Sequence, residues 1–137
     1  MIEVNELRIG NFVFAGTDEN DHQQAGKVLQ IFEGVINWSF DLNQKSVNDG
    51  YNVTDLEYVD PIPLTPEWME RFGFSVYGNI YSKNAEMEFA IEVKDDEFYP
   101  VIIGFMEPVY YSNPLKFVHQ LQNLYYALTS TELIIHL

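Results

Sequence analysis

His119 is the side chain of this sequence best placed to do chemistry, because Gln122, Asn123 and Tyr126 follow it at spacings of three, four and seven residues and share its side of a helix. An imidazole flanked by two amides and a phenol can exchange a proton or form directional hydrogen bonds. General-base catalysis requires more, namely an orienting carboxylate and a nucleophile or metal beside the ring, and the neighbouring positions encode neither. The set is therefore read as a contact surface. His119, Gln122, Asn123 and Tyr126 are the candidate partner-binding residues, and no catalytic, cofactor-binding or metal-binding residue is assigned. The ordinary alternative for His119 is a hydrogen-bonded structural role.

The other reactive groups are dispersed. His22 and His136 have no second ligand at helical spacing, and the chain contains no cysteine, which removes disulfides, thiolate nucleophiles and cysteine-bound zinc. The run Asp18, Glu19, Asn20 and Asp21 has the composition of a calcium loop. Such a loop places glycine sixth and glutamate twelfth, where this chain has Gln23 and Leu29, so the run reads as a solvated hairpin loop. No phosphate-binding glycine loop, dinucleotide fingerprint, nucleophile elbow or paired-histidine zinc motif is present.

The element that must position His119 is a long amphipathic helix expected from Asn113 to Leu128. Asn113 suits an N-cap and Pro114 the first helical position. A turn of about 100° per residue gathers Phe117, Val118, Leu121, Leu124, Tyr125 and Leu128 into an inward apolar arc. Lys116, His119, Gln120, Gln122, Asn123 and Tyr126 then face outward. No Asp or Glu lies between Pro108 and Thr131, so this outward face is hydrated less strongly than a carboxylate face and suits contact with another surface.

Upstream, the pattern is mostly that of strands. Ile9, Phe12 and Phe14 mark a first strand, Val28, Leu29 and Ile31 a second, Val35, Ile36 and Trp38 a third, and Leu56 to Val59 a fourth, with Thr17 to Gln24 as a hairpin loop. Strands this short suggest a small, strongly bent sheet or SH3-like barrel. Asp60 to Pro63 is a proline-restrained connector. Thr65, Pro66 and Glu67 start a short helix that Gly73 ends. Turns then follow at Gly78–Asn79 and Asp95–Asp96, between strands around Phe74 to Ser82, Met87 to Val93 and Tyr99 to Met106, and Leu133 to Leu137 is expected to add a last strand. The fold class is α+β: a β-rich N-terminal subdomain over residues 1–60, then an α+β subdomain over 61–137 with a helix, an antiparallel sheet and the long C-terminal helix, the two packing as one compact unit.

A composition of 47% hydrophobic and 15% aromatic residues supplies a core, while a formal net charge of −14 opposes nucleic-acid backbones and anionic membrane surfaces. Direct nucleic-acid binding and membrane association are not expected. The acidic N-terminal stretch lacks the features of a signal peptide, so a cytoplasmic address is expected. Trp38 and Trp68 are expected in cores or interfaces.

Two stretches, PIPLTPEWMERFGF over Pro61 to Phe74 and FVHQLQNLYYALTSTEL over Phe117 to Leu133, together with the opening NELRIGNFV, resemble a family of short uncharacterised proteins of Bacteroides-type bacteria and their prophages and mobile elements. Many relatives place a glycine after the helix, where this chain has Thr129, Ser130 and Thr131. The resemblance implies an accessory role and transfers no catalytic residue. The favoured function is a non-enzymatic module that binds a protein partner, with homo-oligomerisation left open. The alternatives are an acidic mimic of nucleic acid that inhibits a DNA-binding or defence protein, and a small enzyme using His119.

Overall fold

The computed structural model describes residues 2–17, 23–83, 89–103 and 107–136. The expected loop run Asp18 to His22 and the alternation from Met87 to Glu88 lie outside the described residues. The chain divides into two units, residues 1–63 with 117–132 and residues 64–116 with 133–137. The C-terminal helix therefore groups with the N-terminal half, because contacts far apart in sequence decide its place.

The first unit is built on an antiparallel sheet of β1 (Phe12–Thr17), β2 (Gln23–Phe32), β3 (Val35–Ser39) and β4 (Asn52–Asp55), ordered as in sequence. Gly34, at φ +80°, supplies the left-handed residue of the tight β2–β3 turn. The ladder slips between Phe14 and Gly16 and again between Val28 and Gln30, and such bulges bend a sheet. The result is a curled half-barrel. The expected strand at Leu56 to Val59 is instead a 3-10 turn over Leu56–Tyr58, which returns Val59 and Asp60 to the start of the chain. There Ile2 N–H donates to the Val59 carbonyl at 3.1 Å, and Phe14 and Asp60 exchange two backbone bonds of 2.9 Å. Ile2, Leu7, Val13, Val28, Ile36, Trp38 and Val59 fill the interior. Ile9, expected in the first strand, lies in the turn before β1 and is exposed.

The C-terminal helix, α2, spans Val118–Thr129. The cap signal at Asn113 and Pro114 loses to tertiary pairing: Leu115 bridges Phe98 within the second unit, and Phe117 bridges Pro63 within the first. Phe117 becomes the N-cap, with its N–H donating to Gln120 Oε1 at 3.2 Å. At the far end Ser130 takes the left-handed conformation that glycine favours, and its N–H donates to the Tyr126 carbonyl at 2.8 Å.

The second unit holds α1 (Pro66–Arg71) and an antiparallel sheet of β5 (Ser75–Tyr77), β6 (Ile80–Ser82), β7 (Ala90–Lys94), β8 (Glu97–Ile103) and β9 (Pro108–Tyr110). Its turn chemistry follows the expectation. Thr65 Oγ1 caps α1 by accepting from Trp68 N–H at 3.4 Å, and Asp95 and Asp96 both have positive φ in the two-residue β7–β8 turn. Trp68, Met69, Phe72, Phe74, Phe89, Ile91 and Phe98 are buried. Leu133 to His136 does not form a sheet strand, although His136 N–H donates to the Arg71 carbonyl at 2.6 Å. The chain is α+β overall, and among the described residues no helix is long and apolar enough to cross a membrane.

Candidate functional site

Part of the helix face expected outside is turned inward, while Lys116 and Tyr126 of that face stay exposed. His119 is 1% and Gln122 0% exposed, whereas Leu128 of the expected inward arc is 57% exposed. From that arc Val118 and Leu121 are fully buried. The reason lies in the backbone that α2 meets, residues 8–12, which runs as a turn into β1 and presents N–H and C=O groups that need partners. Gln122 supplies two of them: its Oε1 accepts from Phe12 N–H at 2.8 Å, and its Nε2 donates to the Gly10 carbonyl at 3.1 Å. A primary amide matches a strand start because it carries one acceptor and one donor side by side.

Asn123 works in the same seam. Its Oδ1 accepts from Asn11 Nδ2 at 2.7 Å and from Arg8 Nε at 3.1 Å, and its Nδ2 donates to the Glu6 carbonyl at 2.8 Å. The Arg8 guanidinium also donates to both Glu132 oxygens and lies over the Tyr126 ring, 4.4 Å from its centroid. A planar cation is thus held by a ring, a carboxylate and an amide. Glu132 additionally acts on Lys27, whose pKa burial lowers while Glu132 and Asp41 oppose the change. Arg8 was not singled out from the sequence. Its signal was scarcity, since the chain has only seven lysines and arginines.

His119 differs from its neighbours. It stacks on Phe117 at 5.8 Å, and neither ring nitrogen has a hydrogen-bond partner among the described residues. The Glu6 carboxylate stands 3.8 Å from Nε2, too far for a hydrogen bond but close enough for electrostatic attraction. Desolvation lowers the imidazole pKa below its ordinary 6.5, and Glu6 opposes it. The ring is therefore neutral near neutral pH.

An open recess of the first unit lies elsewhere, a cleft of about 430 Å³ lined by Ala15, Trp38, Asn52, Val53, Thr54, Asp55 and Tyr58. Its floor is set by a relay. Trp38 Nε1 donates to Thr54 Oγ1 at 2.8 Å, and Thr54 donates to the carbonyl of Ala15, the bulged residue of β1, at 3.4 Å. Trp38 fits beneath because β2 carries Gly26 there, where a Cβ would overlap the indole. The indole is 3% exposed. The rim is open: Val53 is 60% and Tyr58 57% exposed, and Asn52 and Asp55 are exposed as well. Among the described residues no lysine or arginine pairs with Asp55. Sequence reasoning assigned Trp38 to a core or interface and missed the rim, whose members gather only when the sheet curls.

In the second unit, a smaller recess of about 220 Å³ carries Asp96, Glu97 and Lys116 among its lining. Two tyrosines of that sheet are engaged: Tyr110 donates to Glu92 and Tyr99 to Glu97, and these bonds raise both phenol pKa values. Among the described residues no group of His, Asp or Glu is arranged to hold a metal ion.

The fold and the cleft thus define a small α+β protein whose first unit carries a tied polar seam and an open recess. No protein-family model, curated protein or solved structure matches the chain.

Proposed function

We propose that this protein is a non-enzymatic protein-interaction module whose contact surface is the Trp38 cleft. The observation that carries the reading is an ordered floor beneath an exposed rim of mixed chemistry, with Val53 and Tyr58 offering apolar area and Asn52 and Asp55 offering polarity. Interfaces commonly combine an apolar contact area with a polar border. The contact surface therefore moves from α2, where His119 and Gln122 are buried, to β4 and the turn after it. In the mobile-element setting that the resemblance implies, such a module serves as an accessory protein of the element or its bacterial host.

The test is a photoreactive side chain placed at Val53 and, as a control, at Tyr77 of the second unit. Cross-linking in the producing cell should yield a defined polypeptide from position 53 and not from 77. That polypeptide, identified and purified, should bind the intact protein and lose affinity for Tyr58→Ala. Equal cross-linking from both positions, or unchanged affinity for Tyr58→Ala, rejects the assignment.

A further inference from the structure

We infer that the outer edge of β4 receives an extended segment of the partner, which adds to the sheet as a further strand. The inference rests on the reading of this part of the molecule as the contact surface and names what that surface recognises. It is carried by the backbone rather than by side chains. In an antiparallel ladder the peptide groups of successive residues point alternately toward the paired strand and away from it. Leu56 N–H donates to the Gly34 carbonyl at 2.9 Å, and the register then runs without a slip from Asp55 opposite Val35 to Asn52 opposite Trp38. Thr54 and Asn52 therefore turn their peptide groups to β3. Val53 and Asp55 turn theirs outward, and among the described residues nothing pairs with the Val53 N–H, the Val53 carbonyl or the Asp55 N–H.

The other outer strand of the same sheet has its edge covered by the chain itself. On β1, Phe14 exchanges two backbone bonds with Asp60, and Phe12 N–H donates to Gln122 Oε1 at 2.8 Å. β4 has no such cover among the described residues, and both Val53 and Asp55 are exposed. An outward N–H and carbonyl on one residue, with a further N–H two residues on, match the bonds an extended chain forms, and peptide recognition by strand addition takes its affinity from them. The side chains of the added strand alternate. The residue opposite Val53 stands on the outer face beside it, which suits an apolar β-branched side chain. Its two neighbours stand on the face of Trp38, Asn52 and Thr54, where the recess gives them room. A second copy of this chain is a poorer occupant, because two molecules of formal net charge −14 repel each other.

The experiment uses the full chain, isotopically labelled for NMR, and a capped heptapeptide of alternating valine and threonine with a lysine at each end. Its control is the same peptide N-methylated at the three central residues, which keeps the side chains and removes the donors. In the free protein the Val53 and Asp55 amides should exchange with solvent faster than those of Asn52 and Thr54. The heptapeptide should slow exchange at Val53 and Asp55 saturably, and N-methylation should weaken its binding by about tenfold. Val53→Pro removes the outward donor at a position where an edge strand tolerates proline, and it should weaken binding to a similar extent. Val53→Ala keeps that donor and should retain binding. The N-methylated arm leaves the protein unaltered and decides the outcome if Val53→Pro does not fold. The inference is overturned if the Val53 and Asp55 amides are already protected in the free protein, if the heptapeptide does not slow their exchange, or if the N-methylated peptide binds as tightly. Protection of these amides that grows with protein concentration, without peptide, would make the occupant a second copy and overturn it too. A cross-linked partner whose binding survives Val53→Pro would remove this inference while leaving the interaction reading intact. Peptide binding at the edge without a cross-linked partner would do the reverse.

Discussion

Two regions of the first unit use the same chemical groups to opposite ends. Beneath α2, a ring, a carboxylate and an amide enclose Arg8 and tie the helix to the start of β1. Beside β4, residues of the same types, Tyr58, Asp55 and Asn52, line an open recess together with Trp38. What separates the regions is the backbone behind them. The chain before β1 offers peptide groups that must be satisfied, so side chains converge on it. In the cleft, Thr54 already satisfies the bulged Ala15, which leaves the rim groups uncommitted. Substitutions under α2 should therefore act on stability, and substitutions at the cleft rim on recognition.

The largest effect is expected where the seam is most buried. Gln122→Ala strands the buried Phe12 N–H and also removes the part-buried bond to the Gly10 carbonyl; an unsatisfied buried group costs roughly 1–3 kcal/mol, so the first unit should lose at least about 1–3 kcal/mol. Urea unfolding followed by backbone signals of that unit measures it. A loss under about 0.5 kcal/mol would show that the seam is not a structural device, and the comparison would break.

Gly26→Ala comes next and acts on both regions at once. The added methyl overlaps the Trp38 ring, and overpacking of this kind costs about 1–3 kcal/mol. Because Trp38 is both core and cleft floor, its indole resonance should move along with the stability. A stable variant with an unmoved indole would show that the ring and β2 are not closely packed.

How much of this was written in the sequence follows the range of the interactions. Local signals were legible: Thr65 with Pro66 started α1, and Asp95 with Asp96 made a two-residue turn, since each outcome depends on a few adjacent residues. The polar face of α2 was legible as a set, but its His119 and Gln122 were misread as outward when they are buried. Periodicity separates two faces of a helix without saying which meets the core, and the strand start that Gln122 satisfies lies more than a hundred residues away. The helix start was misread for the same reason, because Phe98 and Pro63 claim Leu115 and Phe117. The cleft rim was not legible at all. Ala15, Trp38 and Tyr58 meet only through two bulges and a 3-10 turn whose positions depend on the curled sheet.

An acid dependence sharpens the comparison further, because neither ring nitrogen of the buried His119 has a hydrogen-bond partner among the described residues. Its folded pKa lies below 6.5, so in the window between that folded value and 6.5 the unfolded chain binds more protons. Stability should be full above pH 6.5 and fall as pH drops through that window. His119→Gln should lack this component, and Glu6→Gln, which removes the attractive carboxylate, should enlarge it. The measurement is the difference in unfolding free energy between wild type and each variant across pH 5 to about 7.5. Parallel curves would mean that His119 is not buried as a neutral ring.

A smaller gain is expected at the turn that leads from α2 to Glu132. Ser130 holds φ 58°, a conformation that costs a side-chain-bearing residue roughly 1–2 kcal/mol, part of which glycine returns through its greater freedom when unfolded. Ser130→Gly should therefore raise stability by about 0.5–1 kcal/mol. Glu132 should remain on Arg8, which a double-mutant cycle with Arg8→Ala would report as unchanged coupling.

The smallest expected change is on the cleft side, and it separates the two regions most clearly. Asp55 and Tyr58 are exposed, and neither makes a side-chain hydrogen bond or ion pair within the described chain. Replacing an exposed group without such ties usually shifts stability by no more than about 0.5 kcal/mol. Asp55→Asn and Tyr58→Ala should accordingly unfold with wild-type midpoints and slopes in urea, although both alter the surface around Trp38. If either variant instead lost as much stability as Gln122→Ala, its group would be serving the fold, and the same ring, carboxylate and amide would be a structural clasp in both places.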